Sequence, residues 1–129
     1  MAGYRGPGRI DRNQKEIVQR LRDLNFSVSI TSGWGKGFPD AQVSFWMEGV
    51  GPYCVLLEIK DGKKPPSKTR LTDDQVRFIT RWQGPVAVVH SVDEAEYLCR
   101  QLRLGNVAVL GEEPFADRLP YRARCRVGT

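Results

Sequence analysis

Every second residue is apolar from Ala41 to Met47 and again from Tyr53 to Ile59, with the charged residues Asp40, Glu58 and Lys60 on the intervening positions. Successive side chains of a β-strand point to opposite faces. Ala41, Val43, Phe45 and Met47, with Val55, Leu57 and Ile59, therefore make one wholly apolar face. Asp40, Gln42, Ser44, Glu58 and Lys60 take the other. Glu48-Gly49-Val50-Gly51-Pro52 between the two runs reads as a hairpin turn. Pairing Met47 with Tyr53 sets Asp40 opposite Lys60 and makes Glu58 its diagonal neighbour. Diagonal partners lie roughly 7–8 Å apart at the backbone, within reach of long side chains. A slip of one residue would bury Asp40 or expose Phe45, so the pattern resists it.

Upstream the period becomes helical. Asp11 can cap a helix from about Arg12 to Leu24, with Ile17, Val18, Leu21 and Leu24 on one face, Glu16 at its edge and Asn25 as the stop. Phe26 to Ile30 alternates as a short strand. A glycine-rich loop, Thr31 to Gly37, then leads to Pro39-Asp40. After the hairpin, the paired prolines in Asp61 to Lys68 exclude regular structure. Thr72 begins a capping box with Gln75 and predicts a helix from Asp73 to Trp82, with Val76, Phe78 and Ile79 inward. Gly84-Pro85 ends it. Val86 to Val89 is continuously apolar, as in a strand covered on both faces. Ser91 caps a helix from Val92 to about Leu104, Gly105-Asn106 stops it, and Val107 to Leu110 predicts a small edge strand. The expected fold is α/β, a mixed central sheet flanked by helices in the order α-β-β-β-α-β-α. Residues 1–10 read as a flexible N-terminus and 11–110 as one domain. Residues 111–129, with Arg118, Arg122, Arg124 and Arg126, read as a basic C-terminal extension.

Composition narrows the partner. At 129 residues the chain has room for one core. A net charge of +5 and a pI near 9.4 lean towards a polyanion. Cys54, Cys99 and Cys125 are odd in number and form no CxxC pair, which argues against a zinc finger or a disulfide framework and for free thiols in a reducing compartment. No apolar run nears the roughly 18 residues of a membrane span. The opening MAGYRGPGR lacks a signal-peptide core, so a cytoplasmic location is expected.

The chemistry centres on Asp40, Glu58 and Lys60. Phosphodiester hydrolysis needs a cation at the phosphate and an activated water. Mg²⁺ accepts one or two carboxylates and keeps several waters. Asp40 and Glu58 supply carboxylates, the Ile59 carbonyl a third oxygen, and Lys60 a group to orient or deprotonate water and offset transition-state charge. Pro39-Asp40 followed by Glu58-Ile59-Lys60 resembles the PD-(D/E)XK nuclease motif. The glycine-led GFPD, the strand ending EIK, a basic loop, a helix opening LTDDQ and the VAVVHSVDEA segment look like a VRR-NUC domain. The likeness covers about Asp11 to Leu104, and the layout is similar to that of archaeal Holliday-junction resolvases.

The resemblance implies a restriction-endonuclease-like fold and an Mg²⁺- or Mn²⁺-dependent DNA endonuclease of a bacterial or phage-infected cell. It implies branched DNA, such as a four-way junction, as substrate, and a homodimer to place two symmetric nicks. Glu16 matches the family's first-helix glutamate that reaches the metal, and Gln75 a helix glutamine that touches the site. No small-molecule cofactor or membrane is implied.

Blander readings stand beside these. Glu-x-Lys on a strand also occurs as a solvated ion pair. Glu16 also suits a helix surface, and Gln75 the capping box alone, two roles that one glutamine does not easily serve together. His90 reads as structural. For DNA contact the candidates are Lys36, Lys63, Lys64, Lys68 and Arg70, with Ser32 at a phosphate and Trp34 against a base or a partner subunit. Trp46 and Trp82 are expected to pack inside. The alternatives to an endonuclease are a non-catalytic nucleic-acid-binding module of the same fold, a nuclease acting on DNA ends or flaps, and a structural protein whose acidic pair is a surface feature.

Overall fold

Local sequence signals set most of the element boundaries. In a computed structural model describing residues 12–65, 70–116 and 119, the elements are α1 (Arg12–Asp23), β1 (Ser27–Ile30), β2 (Ala41–Met47), β3 (Gly51–Ile59), α2 (Asp73–Arg81), β4 (Val86–Val89) and α3 (Val92–Arg103). The order is the one expected. Asn25 ends α1 at φ +69°, a left-handed conformation that asparagine tolerates. Thr72 and Gln75 form the reciprocal capping box at α2, and Ser91 Oγ accepts from the Glu94 N–H at α3. Asp11, proposed as the α1 cap, lies outside the described residues, as do Lys68, Cys125 and Arg118, Arg122, Arg124 and Arg126 of the tail.

The four strands form one mixed sheet in the order β1-β2-β3-β4, with β1–β2 and β2–β3 antiparallel and β3–β4 parallel. One face packs under α1 and α3. Ile17, Val18 and Leu21 from α1 and Leu98 and Leu102 from α3 meet Val43, Val55, Leu57 and Val89. The opposite face carries a second apolar cluster, Leu56, Leu71, Ile79, Val86, Val88, Ala116 and Leu119, with Phe38, Phe78 and Trp82 against it. Val86 to Val89 are all buried, as a strand between two layers requires.

The hairpin register corrects the expectation. Met47 pairs with Gly51, not Tyr53, and Ala41 with Leu57. The turn is tighter than expected because Gly49 (φ +78°) and Gly51 (φ +107°) reverse the chain within three residues, closed by Val50 N–H to Met47 O at 3.1 Å. Pro52 is tolerated inside β3 for a geometric reason. Leu56 and Lys60 direct their N–H groups to Pro85 and Val89 on the β4 side. Pro52 shares that parity but lies beyond the end of β4, so its missing N–H forfeits no ladder bond. The shift is by two residues, so every side chain keeps its expected face.

Three further expectations change. Val107 to Leu110 form no edge strand; Val107–Gly111 is a 3-10 helix whose Val109 and Leu110 are buried. Val76 is exposed, because Ile79 alone of the α2 residues is fully buried and Phe78 lies at the rim. Trp46 is 69% exposed, since it stands on the α2-side face of β2 beyond the reach of that helix. Trp82 packs on the second cluster as expected.

Candidate active site

Asp40 sits where regular pairing between β2 and β3 stops. Its N–H donates to Leu57 O at 3.0 Å, and its own side chain supplies the next acceptor: Oδ2 takes the Ile59 N–H at 2.7 Å. The carboxylate therefore substitutes for a backbone rung and is fixed by the sheet itself. Its approach is fixed from the other side by Thr31, which is fully buried. The Thr31 N–H donates to Asp40 O at 2.8 Å, and its hydroxyl donates to Pro39 O at 2.6 Å.

Glu58 projects from β3 on the same face, with 1% of its surface exposed. Its Oε1 accepts from Gln75 Nε2 at 2.8 Å and lies 3.6 Å from Lys60 Nζ. Lys60 Nζ donates in turn to Gln75 Oε1 at 3.1 Å. Glu58 Oε2 is buried and has no hydrogen-bond partner of ordinary geometry among the described residues. Burial first, then the charge of Asp40 and hydrogen bonding with its side chain, push the Glu58 carboxyl up to about 9, with Lys60 pulling the other way. Two carboxylates thus share a dry corner that one ammonium only partly compensates.

Gln75 serves both roles that seemed incompatible. Its Oε1 has two lone pairs, and one takes the Thr72 N–H at 2.8 Å for the capping box while the other takes Lys60. Its Nε2 is left for Glu58. The cap thereby fixes the amide that organises the site.

The remaining candidates are dispersed. Glu16 is half exposed, pairs with Arg12 at 2.9 Å and lines a groove with Asn13, Asp61 and Lys63. The α1 residue that reaches the end of β3 is Asn13, one turn earlier, whose Nδ2 donates to Lys60 O at 3.0 Å. Ser32 accepts from Gln14 Nε2 at 3.3 Å. Lys36, Lys63, Lys64 and Arg70 are exposed on the loops, and Trp34 is 66% exposed. His90 bonds Glu94 through Nδ1 at 3.1 Å and through its backbone N–H at 3.0 Å, which suits a structural role. Cys54 and Cys99 are free thiols, and burial pushes the Cys99 thiol up to about 12, which leaves it protonated at neutral pH.

Thr31 and Asn13 were not legible as site residues, since neither type nor spacing marks a residue that acts through backbone carbonyls. Arg77 and Arg81 are exposed on α2. They precede Phe78 and the C-cap Trp82, so cations and rings alternate there.

Among the described residues no group of three or more His, Cys, Asp or Glu side chains converges as a metal site. No helix among them is long and apolar enough to cross a membrane. No protein-family model, curated protein or solved structure matches the chain.

Proposed function

We propose that the chain is a metal-dependent DNA endonuclease of the PD-(D/E)XK type, similar to VRR-NUC domains, acting on branched DNA. The observation that carries the reading is the buried Glu58 carboxylate, drawn up beside Asp40 and held by Gln75 and Lys60. An ionised carboxylate pair in a dry corner is unfavourable unless a cation joins it. Glu58 Oε2 is a buried hard oxygen beside the Asp40 carboxylate, of the sort that a divalent cation takes. Two carboxylates fit Mg²⁺ or Mn²⁺, which fill their remaining positions with water. Asp40 and Glu58 would hold the ion, with the Ile59 carbonyl as a further oxygen. When bound, such a cation polarises the phosphate and acidifies water.

The chain's own groups do the rest. Lys60 Nζ is held by Gln75 and Glu58 and keeps a donor for a water or a phosphate oxygen, where its charge offsets charge building up in the transition state. The sheet holds Asp40 through the Ile59 N–H, which positions that carboxylate before substrate arrives. Lys36, Lys63, Lys64 and Arg70 supply phosphate contacts. A homodimer would place two such sites for paired nicks.

The test is product mapping with Mn²⁺ on a labelled four-way junction, a linear duplex and a single strand. Nicks confined to the branched substrate, and lost in Asp40→Asn and Lys60→Ala while binding persists, are expected. Undiminished nicking in both variants sinks the reading. Binding with no products from the wild type would instead favour the non-catalytic module.

A further inference from the structure

Four rings form a continuous row across the surface between the glycine-rich loop and α2. Trp34 meets Phe38 with centroids 4.8 Å apart, Phe38 meets Phe78 at 4.8 Å, and Phe78 stacks on Trp82 at 5.5 Å. The row exists because the loop backbone rests directly on the first turn of α2. Gly37 has φ +80°, and a Cβ there would lie 2.1 Å from the Asp74 carbonyl oxygen. Trp34 is at the open end, two-thirds exposed, between Gly33 and Gly35, neither of which can cover it.

An open groove of about 530 Å³ runs beside the Phe78–Trp82 end of this row, with Lys36 on the Trp34 side. Phe78 and Trp82 form its apolar wall, and Lys36, Arg77 and Arg81 its charged rim, against Asp74 as the one carboxylate. Arg77 pairs with Asp74, but both side chains are about 60% exposed (62% and 60%), so the pair is cheaply exchanged for a phosphate. The helix that carries Phe78 and Trp82 also carries Gln75, one turn away, into the Asp40–Glu58–Lys60 cluster.

We infer that this groove holds a single-stranded nucleic-acid segment, with a base on the exposed face of Trp34 and backbone phosphates against Lys36, Arg77 and Arg81. A base inside a duplex has both flat faces covered by its stacked neighbours, whereas a single strand readily turns one to an aromatic ring, and cations at a groove's rim track the backbone. The excess of three cations over one carboxylate fits a polyanion. The inference deepens the nuclease reading and rests on it for the strand being an unpaired segment at the branch of its substrate. Binding itself uses none of Asp40, Glu58 or Lys60.

The experiment is fluorescence polarisation in EDTA with labelled oligothymidylate, which has no internal pairing, beside a blunt hairpin duplex. Trp34→Ala weakens oligothymidylate binding roughly tenfold, Trp34→Phe restores most of it, and duplex binding is unchanged. The pair Arg77→Ala and Arg81→Ala makes the slope of log affinity against log salt shallower by about 1.4, at ~0.7 per phosphate contact. Oligothymidylate affinity unaltered by Trp34→Ala, or an unchanged salt slope in the double variant, overturns the inference. Asp40→Asn retains single-strand binding. Loss of nicking from the wild-type chain with this binding intact would remove the nuclease reading alone, and the reverse result would remove the groove alone.

Discussion

Gln75 donates from Nε2 to Glu58 Oε1 at 2.8 Å while its own Oε1 closes the capping box of α2. Helix start and site are therefore one hydrogen-bonded unit. Replacing Gln75 with Ala removes the cap acceptor and leaves both Glu58 Oε1 and Lys60 short of a partner in a half-buried corner. A buried unsatisfied polar group costs about 1–3 kcal/mol. Gln75→Ala should lower the urea unfolding free energy by roughly that amount and reduce nicking. Gln75→Glu keeps an acceptor for Thr72 but sets a third carboxyl against Glu58. It should destabilise more at pH 8 than at pH 5. Equal loss at both values would show that Gln75 does not touch Glu58 in solution.

The raised Glu58 carboxyl gives the metal-free protein a definite pH dependence. Its folded value is about 9, against an ordinary unfolded glutamate near about 4.3. Between these the folded chain holds a proton that the unfolded chain has lost, so stability falls as pH rises through this window and levels above it. In EDTA the urea midpoint should be lower at pH 8 than at pH 5.5. Glu58→Gln preserves an acceptor for Gln75 Nε2 and cannot titrate, so it should flatten the slope. A slope retained in Glu58→Gln would assign the effect to another group.

The seating of the glycine loop is open to a matched pair of substitutions. Gly37 has positive φ and no room for a Cβ beside Asp74, whereas a Cβ on Gly33 meets nothing within 4 Å. Gly37→Ala should cost upwards of about 1 kcal/mol, from the conformation alone and more from the clash. It should also displace Trp34, visible as a shift in its fluorescence. Gly33→Ala should be neutral on both counts. Similar behaviour of the two variants would mean that the loop is not seated on α2.

Much of this arrangement was legible in the chain, for reasons of parity and local chemistry. A period of two fixes which face a side chain takes under any even shift. Asp40, Glu58 and Lys60 therefore reached one face although the register moved by two. Caps depend on two or three neighbouring residues, so Thr72 and Ser91 were readable. The register itself depended on the backbone conformations of Gly49 and Gly51, which residue names only permit. Exposure of Trp46 depended on how far α2 extends over the sheet, a tertiary fact. Val107 to Leu110 were too short for period to separate strand from 3-10 helix. Glu16 and Asn13 are three apart on α1, and which of them reaches β3 is set by how the helix is rotated on the sheet.

Asp40→Asn should separate the structural and functional uses of the same carboxyl. An asparagine oxygen can still accept the Ile59 N–H, so the rung that Asp40 Oδ2 provides is kept. Burial of the Glu58 carboxyl, the larger cause of its rise, remains, but the added negative charge of Asp40 is removed. In EDTA at pH 8 the variant should therefore be more stable than the wild type, by about 0.5–2 kcal/mol, the usual scale of relief at a site under functional strain. With Mn²⁺ the order should reverse. On the proposed reading the wild type should gain melting temperature by binding the ion to its folded state alone, and the variant, with one anionic ligand left, should gain much less. Paired thermal melts with EDTA and with Mn²⁺ read both effects. A variant less stable than the wild type in EDTA would show that Asp40 serves the fold through its charge. An equal Mn²⁺ gain in both proteins would place the ion away from Asp40.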